Sequence, residues 1–261
     1  MNDADFNVIL GQAKMASLEI PPHAAVHAMV RHCSELLRQR LKASRNRRGI
    51  VVGCGSGDEV VYLRRALGST RIAGLDKERR FSAVARSDAC VLVGDAERLP
   101  FPDDTFDFAA AFHSLEHVGD PRRMLDALRR VLQPGGWFYV GVPNKSRLIG
   151  YMGSFDATPW QKLSWNIQDY TAKLRGRFRN ESGAHAGFTR EEILELLEAR
   201  FAQVQILTEQ FLRFKYAGRV PKPALDILLA PGLIDYAAPA HYAICQKGSQ
   251  PGTDTRRARL P

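Results

Sequence analysis

Gly53, Gly55 and Gly57 stand in the run Gly53-Cys54-Gly55-Ser56-Gly57, directly after the apolar triplet Ile50-Val51-Val52 and before a stretch of helical spacing. Glycine has no side chain to exclude a ligand, so a strand–GxGxG–helix unit brings backbone close to one. The dinucleotide version of this motif needs G-x-G-x-x-G, and here the third glycine arrives one residue early. Asp76, followed by Lys77, closes the next apolar run and can hold ribose hydroxyls bidentately. Asp95, followed by Ala96, closes the third and can accept from an exocyclic adenine amine. Either acid alone reads equally well as a turn cap. In register with the glycine loop, the two supply what an adenosine group needs. Phe112 and His113 close a fourth run, with His117 shortly after. His113, which should project from a strand end into the site, is the first candidate for a general base and His117 the second, the alternative being that His113 only lines or hydrogen-bonds there.

These residues need a scaffold that gathers strand ends. Apolar positions recur at three- and four-residue steps over 22–41, predicting an amphipathic helix. Strands are predicted over 50–52, 71–75, 90–93, 106–112 and 137–142, with helices over 58–67, 79–86 and 121–132 between them. Pro134-Gly135-Gly136 reads as the turn before the last strand. Short apolar strands alternating with helices imply an α/β fold with a Rossmann-like, mostly parallel seven-stranded sheet flanked by helices. Ligands then lie at the carboxyl ends of the strands. After Pro143 the alternation stops. Residues 144–187 mix Tyr151, Phe155, Trp160, Trp165, Tyr170 and Phe178 with many basic residues, and read as a helical cap inserted over the site. Trp160, Trp165 and Tyr170 would supply either the cap's own small core or contacts to substrate. Thr189 and Glu192 form a capping box that opens a helix over 189–201, and strands over 204–207 and 241–245 close the sheet. The divisions are an N-terminal helical segment (1–48), the core (49–143), the cap (144–187), the C-terminal part of the core (188–247) and a disordered basic tail (248–261).

A chain of 261 residues with 45% hydrophobic content is large enough to bury a real core. No apolar run approaches a membrane span, and the N-terminus lacks the basic and apolar regions of a signal peptide, so a cytoplasmic protein is expected. Cys33, Cys54, Cys90 and Cys245 are widely spaced, which argues against a zinc ribbon or a disulfide framework. The net charge of +9 raises nucleic acid as a partner. Its concentration in 38–48, 145–179 and the tail fits a solvated helix face and a loose tail better.

At this point the sequence resembles the class I SAM-dependent methyltransferases. The resemblance is carried by VVGCGSGDE (51–59), GDAERLPF (94–101), the segment from Phe106-Asp107 to Leu115-Glu116-His117-Val118, and RVLQPGG (130–136). It is tight over 48–143 and resumes loosely at 188–247. It is specific for the cofactor and nearly silent on the acceptor. It implies that Gly53, Gly55 and Gly57 approach the methionine part of S-adenosyl-L-methionine (SAM), Asp76 the ribose, and Asp95 with Ala96 the adenine. Phe112 and His113 would border the sulfonium. The family usually has an acid where this chain has Val51, and Asp58 or a backbone carbonyl would have to substitute.

His113-Ser114-Leu115-Glu116-His117 spells H-x-x-E-H, a zinc-peptidase pattern. It follows a strand and closes within a few residues at Gly119-Asp120-Pro121, not on a long helix, so that reading is rejected. Methyltransferases of small-RNA and ubiquinone pathways carry an E-x-x-E-H metal site at this place, which His113, Glu116, His117 and His185 would imitate. The same Leu-Glu-His-Val run is common in members without metal, and no metal is expected. The expected function is methyl transfer to a small-molecule acceptor at oxygen: a glycan, lipid or secondary metabolite, apolar or anionic, with peripheral membrane contact left open. The ubiquinone-pathway and glycan or lipid methyltransferases are the subtypes it resembles. The alternatives are an RNA methyltransferase using the basic surface, and a non-catalytic SAM-binding protein. Against base methylation, the place after the fourth strand reads Phe112-His113-Ser114-Leu115 and lacks an Asn/Asp-Pro-Pro-aromatic tetrapeptide.

Overall fold

In the computed structural model, residues 20–21, 24, 27–41, 47–151, 157–180 and 186–249 are described. Phe155, His185 and most of the expected tail lie outside them, as does the start of the expected first helix. The order is α1 (Ala28–Arg40), β1 (Gly49–Val52), α2 (Asp58–Leu67), β2 (Ile72–Asp76), α3 (Ala83–Asp88), β3 (Cys90–Val93), β4 (Phe106–Phe112), a 3-10 turn (Leu115–His117), α4 (Pro121–Val131) and β5 (Leu132–Pro143). The cap helix α5 (Pro159–Leu174) follows, then α6 (Arg190–Glu198), β6 (Gln203–Ile206), α7 (Thr208–Tyr216), α8 (Lys222–Leu228), α9 (Ile234–Ala237) and β7 (Ala240–Gln246).

The strands form one seven-stranded sheet, ordered β3-β2-β1-β4-β5-β7-β6. Only β7 is reversed, pairing antiparallel with both β5 and β6. Strand alternation divides the core. Ile50, Val52, Ala109 and Ala111 face a layer containing Met124, Leu128 and Leu197 of α4 and its neighbour α6. Val51, Phe108 and Ala110 face the layer built by α1, α2 and α7, through Val30, Leu37, Val60 and Phe211. Helices on both faces leave the strand ends as the open edge, which is where an α/β sheet of this kind binds ligands.

Of the expected boundaries that differ, two have a clear local cause. Pro134-Gly135-Gly136 is not a separate turn, because β5 already starts at Leu132, paired with Phe106, and a register irregularity follows between Phe106 and Phe108. The helix expected over 79–86 begins at Ala83, where the Ser82 hydroxyl accepts the Ala85 N–H at 3.0 Å and sets the N-cap.

His32 is buried between Phe211 and Phe214, with Nδ1 3.1 Å from the Tyr139 hydroxyl. Burial, and then the charge of Arg40, lowers its pKa from 6.5 to about 4. Unfolding restores the normal value, so the unfolded chain binds the extra proton between those two pH values. The stability His32 confers is present above pH 6.5 and is lost as pH falls towards 4, amounting to about 3 kcal/mol. His32→Gln, which cannot take that proton, should show a flatter urea-unfolding free energy between pH 7 and 4 than the parent.

Candidate functional site

A cavity of about 670 Å³ opens at the carboxyl ends of β1, β2, β3 and β4. Gly53, Gly55, Asp76, Lys77, Asp95 and Ala96 line one side of it, and His113 and His117 the other. Gly53 and Gly55 have φ of +69° and +51°. A Cβ on Gly53 would sit 2.2 Å from that of Ser114, whereas one on Gly55 would meet nothing within 4 Å. Gly53 thus permits close packing of β1 against the turn after β4, and Gly55 presents bare backbone to the cavity. Ser114 secures this junction by donating from its hydroxyl to the Val52 carbonyl at 2.9 Å. Gly53→Ala combines a steric overlap with a strained φ. It should lower unfolding free energy by about 2–4 kcal/mol in a urea melt.

Asp76 holds the loop in place. One carboxylate oxygen accepts the Gly55 N–H at 2.8 Å, and the other accepts the Glu78 N–H at 2.9 Å. Asp95 accepts the Glu97 N–H at 2.9 Å, and the Glu97 carboxylate in turn accepts the Asp120 N–H at the start of α4, also at 2.9 Å. The cavity wall is therefore tied to α4 on one side and to the glycine loop on the other.

Two residues expected at the site turn their side chains elsewhere. Cys54 is 3% exposed and packs with Val60 in the core, where burial pushes its thiol pKa up, so only its backbone belongs to the loop. Phe112 packs against Tyr139, with ring centroids 6.0 Å apart, and does not line the cavity. At the upstream edge Val51 is fully buried in an apolar layer. Asp58 accepts the Ser82 hydroxyl at 2.6 Å, which joins α2 to the start of α3.

His113 has φ of +53°, a conformation uncommon for a residue with a side chain. Its N–H is held by the Gly141 carbonyl at 2.9 Å, which fixes this reversal at the end of β4. Behind it lies Glu116, whose side chain is wholly buried although both carboxylate oxygens lack a hydrogen-bond partner among the described residues. Its Oε1 is 3.7 Å from His113 Nδ1 and 3.8 Å from His117 Nε2. Burial raises the Glu116 pKa to about 8, opposed in part by the dipole of its own backbone N–H and by the charge of Arg147. Burial first, and then the positive charges of His27, Lys215, His117 and Arg147, hold the His113 imidazole well below its usual range. Near pH 7 the pair is therefore uncharged. Among the described residues no three His, Cys, Asp or Glu side chains are grouped to hold a metal ion. The spacing of the H-x-x-E-H run marked Glu116 only as a metal ligand, and its burial behind the two imidazoles emerges from the turn between β4 and α4.

The described part of the cap does not line this cavity. It walls a second cleft of about 780 Å³, where Lys173, Phe178 and Arg179 face Lys145 after β5 and Glu192 of α6.

Residues 50–140 match the family model of a methyltransferase domain. The chain is 26% identical to demethylmenaquinone methyltransferase of Geobacillus kaustophilus, over 61% of this chain and 78% of that protein. It is 41% identical to 2-phytyl-1,4-naphtoquinone methyltransferase of Synechococcus elongatus over 31% of this chain, and it spans only 40% of that protein's length. Among solved structures, an S-adenosylmethionine-dependent methyltransferase from Mesorhizobium loti superposes with a TM-score of 0.54, covering 84% of this chain and 100% of that one. At 18% identity that likeness is one of fold.

Proposed function

Because the chain belongs to the class I SAM-dependent methyltransferases, we propose that it transfers the methyl group of SAM to a small, apolar acceptor, at an oxygen atom. One observation carries this reading: Gly53 and Gly55 of the glycine loop, Asp76, Asp95 and two histidines share a single cavity, while Gly57 packs against Ala85 and Val91 away from it. The named quinone substrates of the two relatives favour an apolar aromatic acceptor over a nucleic acid.

The residues present fit the cofactor. Gly55 leaves open space where any side chain would intrude, and Asp76 keeps lone pairs for ribose hydroxyls beyond the two N–H groups it already accepts. Asp95 and Ala96 would border the adenine, and Lys77 the rim. When bound, the cofactor supplies an electrophilic methyl on a positive sulfur. The chain's part is to align the acceptor, exclude water and remove the acceptor's proton. His113 takes that proton at Nε2 while its Nδ1 faces Glu116, with His117 as the second base on the same wall.

The test has two arms. Calorimetry with S-adenosylhomocysteine should show saturable binding. Label from methyl-labelled SAM should then appear in hydroxylated quinones as an oxygen-linked methyl group, identified by fragment mass. Binding without transfer to any hydroxylated aromatic, lipid or glycan would leave a SAM-binding protein without methyltransferase activity. Steeply salt-dependent RNA binding together with methylated RNA would move the assignment to nucleic acid.

A further inference from the structure

The cap helix α5 is folded with its polarity reversed. A helix packed on a globular protein ordinarily turns its apolar stripe inward. In α5 the inward face is mostly polar, with Trp165 against Tyr151 as its aromatic exception. Asp169 accepts the Arg147 guanidinium at 2.7 Å and the Tyr151 hydroxyl at 3.1 Å, Asn166 bridges both backbone groups of Gly150, and Lys173 donates to the Arg147 carbonyl at 2.6 Å. Arg147 is itself buried, so this ion pair fixes which face of the helix turns in.

The adjoining face, turned to solvent, carries Trp160, Leu163, Ile167, Tyr170 and Leu174, at helical steps of three and four. At 100° per residue they fall within an arc of about 80°. All five are exposed, from 44% for Tyr170 to 89% for Leu174, and no residue of α5 is buried. The stripe continues sideways. The Tyr170 hydroxyl donates to the Leu148 carbonyl, placing Leu148 and Ile149, both more than half exposed, beside the helix. Leu148 N–H in turn bonds the Tyr236 carbonyl, which adds another exposed aromatic side chain. A contiguous apolar surface of this kind on a soluble chain marks a contact site.

Charge indicates what covers it. Directly after Leu174 come Arg175, Arg177 and Arg179, all exposed, and none is paired with a carboxylate among the described residues. An apolar stripe bearing Trp and Tyr, with arginines at its end, matches the boundary of a bilayer whose surface is anionic. No helix among the described residues is long and apolar enough to cross a membrane, so α5 would lie in the interface plane.

We propose that α5 and the adjoining Leu148-Ile149 segment dock this protein onto anionic lipid bilayers, with the apolar stripe inserted and the three arginines at the headgroups. This is independent of which acceptor is methylated. The test is co-sedimentation of the full chain with phosphatidylglycerol-rich and with pure phosphatidylcholine vesicles. The parent should pellet with the first at least about tenfold more strongly than with the second, with an interaction that weakens in salt. Trp160 fluorescence should shift to the blue on binding, and the shift should be absent in Trp160→Phe.

Ile167→Glu, and separately a variant with Arg175, Arg177 and Arg179 changed to Glu, should each lose vesicle binding by about tenfold or more while keeping affinity for S-adenosylhomocysteine. Should Ile167→Glu disturb the fold, Leu174→Glu gives the same reading from a nearly free side chain. Equal pelleting of parent and variants, or no pelleting of the parent, overturns the proposal. So does a concentration-dependent dimer that Ile167→Glu abolishes without any vesicle binding, because the stripe would then belong to a second copy of the chain.

Discussion

Asp76→Ala is expected to weaken binding of S-adenosylhomocysteine on the order of 100-fold in calorimetry. The carboxylate would contribute two charge-assisted hydrogen bonds to the ribose, and losing them costs about 3 kcal/mol. The same side chain also accepts the N–H groups of Gly55 and Glu78. Its removal therefore frees the glycine loop, which on the proposed function would face the methionine part of the cofactor. Asp95→Ala should do less, about tenfold, because the backbone N–H its carboxylate accepts among the described residues, that of Glu97, lies within its own turn. Asp76→Asn separates the two contributions, since an amide oxygen can still accept from one N–H while the charge is gone. If Asp76→Ala and Asp95→Ala both bind as the parent does, the cofactor is not where the strand ends place it.

The gathering of these residues at one edge was legible in the sequence because they lie where apolar runs stop. Each of β1, β2 and β3 is a short buried or half-buried run, and the parallel register brings Val52 beside Leu75 and Ala111. Residues far apart in the chain are thereby gathered by topology alone. What spacing cannot show is which way a side chain turns at a strand end. Phe112 and His113 are neighbours, yet the positive φ at His113 sends one ring to the core and the other to the cavity. The helices α7 to α9 were also missed. All three are short, and Pro221, Pro223, Pro231 and Pro239 interrupt the helical period around α8 and α9. Their apolar faces acquire meaning only against α1 and β7, where Phe211 stacks 3.8 Å from Tyr242. For the cap, the aromatic residues suggested an inward core or substrate contact. The reversal follows from the pairing of Arg147 with Asp169, and residues 22 positions apart in sequence leave no local pattern from which to read it.

Glu116→Gln should remove the alkaline limb of the pH–rate profile. In the parent, burial keeps Glu116 protonated up to about pH 8, and His113 is neutral but weakly basic. As pH rises through that value the buried carboxyl loses its proton, placing a negative charge 3.7 Å from His113 Nδ1. With His113 as the proposed base, that charge would stabilise the imidazolium formed on taking the acceptor's proton, so kcat should climb across pH 7–9. Glutamine stays neutral at every pH. The variant should match the parent within a few-fold near pH 6.5 and fall behind by about 100-fold near pH 9, with KM for SAM unchanged. Stability supplies a second sign to check. Glu116 has a folded pKa above its unfolded 4.5, so its stabilising contribution is fully present below pH 4.5 and is lost as pH rises to about 8. Glu116→Gln should abolish that decline in urea melts. A residue that merely packed behind the histidines would lower activity equally at all pH, and an equal loss at pH 6.5 and pH 9 would remove Glu116 from the proton path. His113→Ala completes the comparison, because a lost base depresses the rate across the whole range while a lost neighbouring charge opens a gap only on the alkaline side.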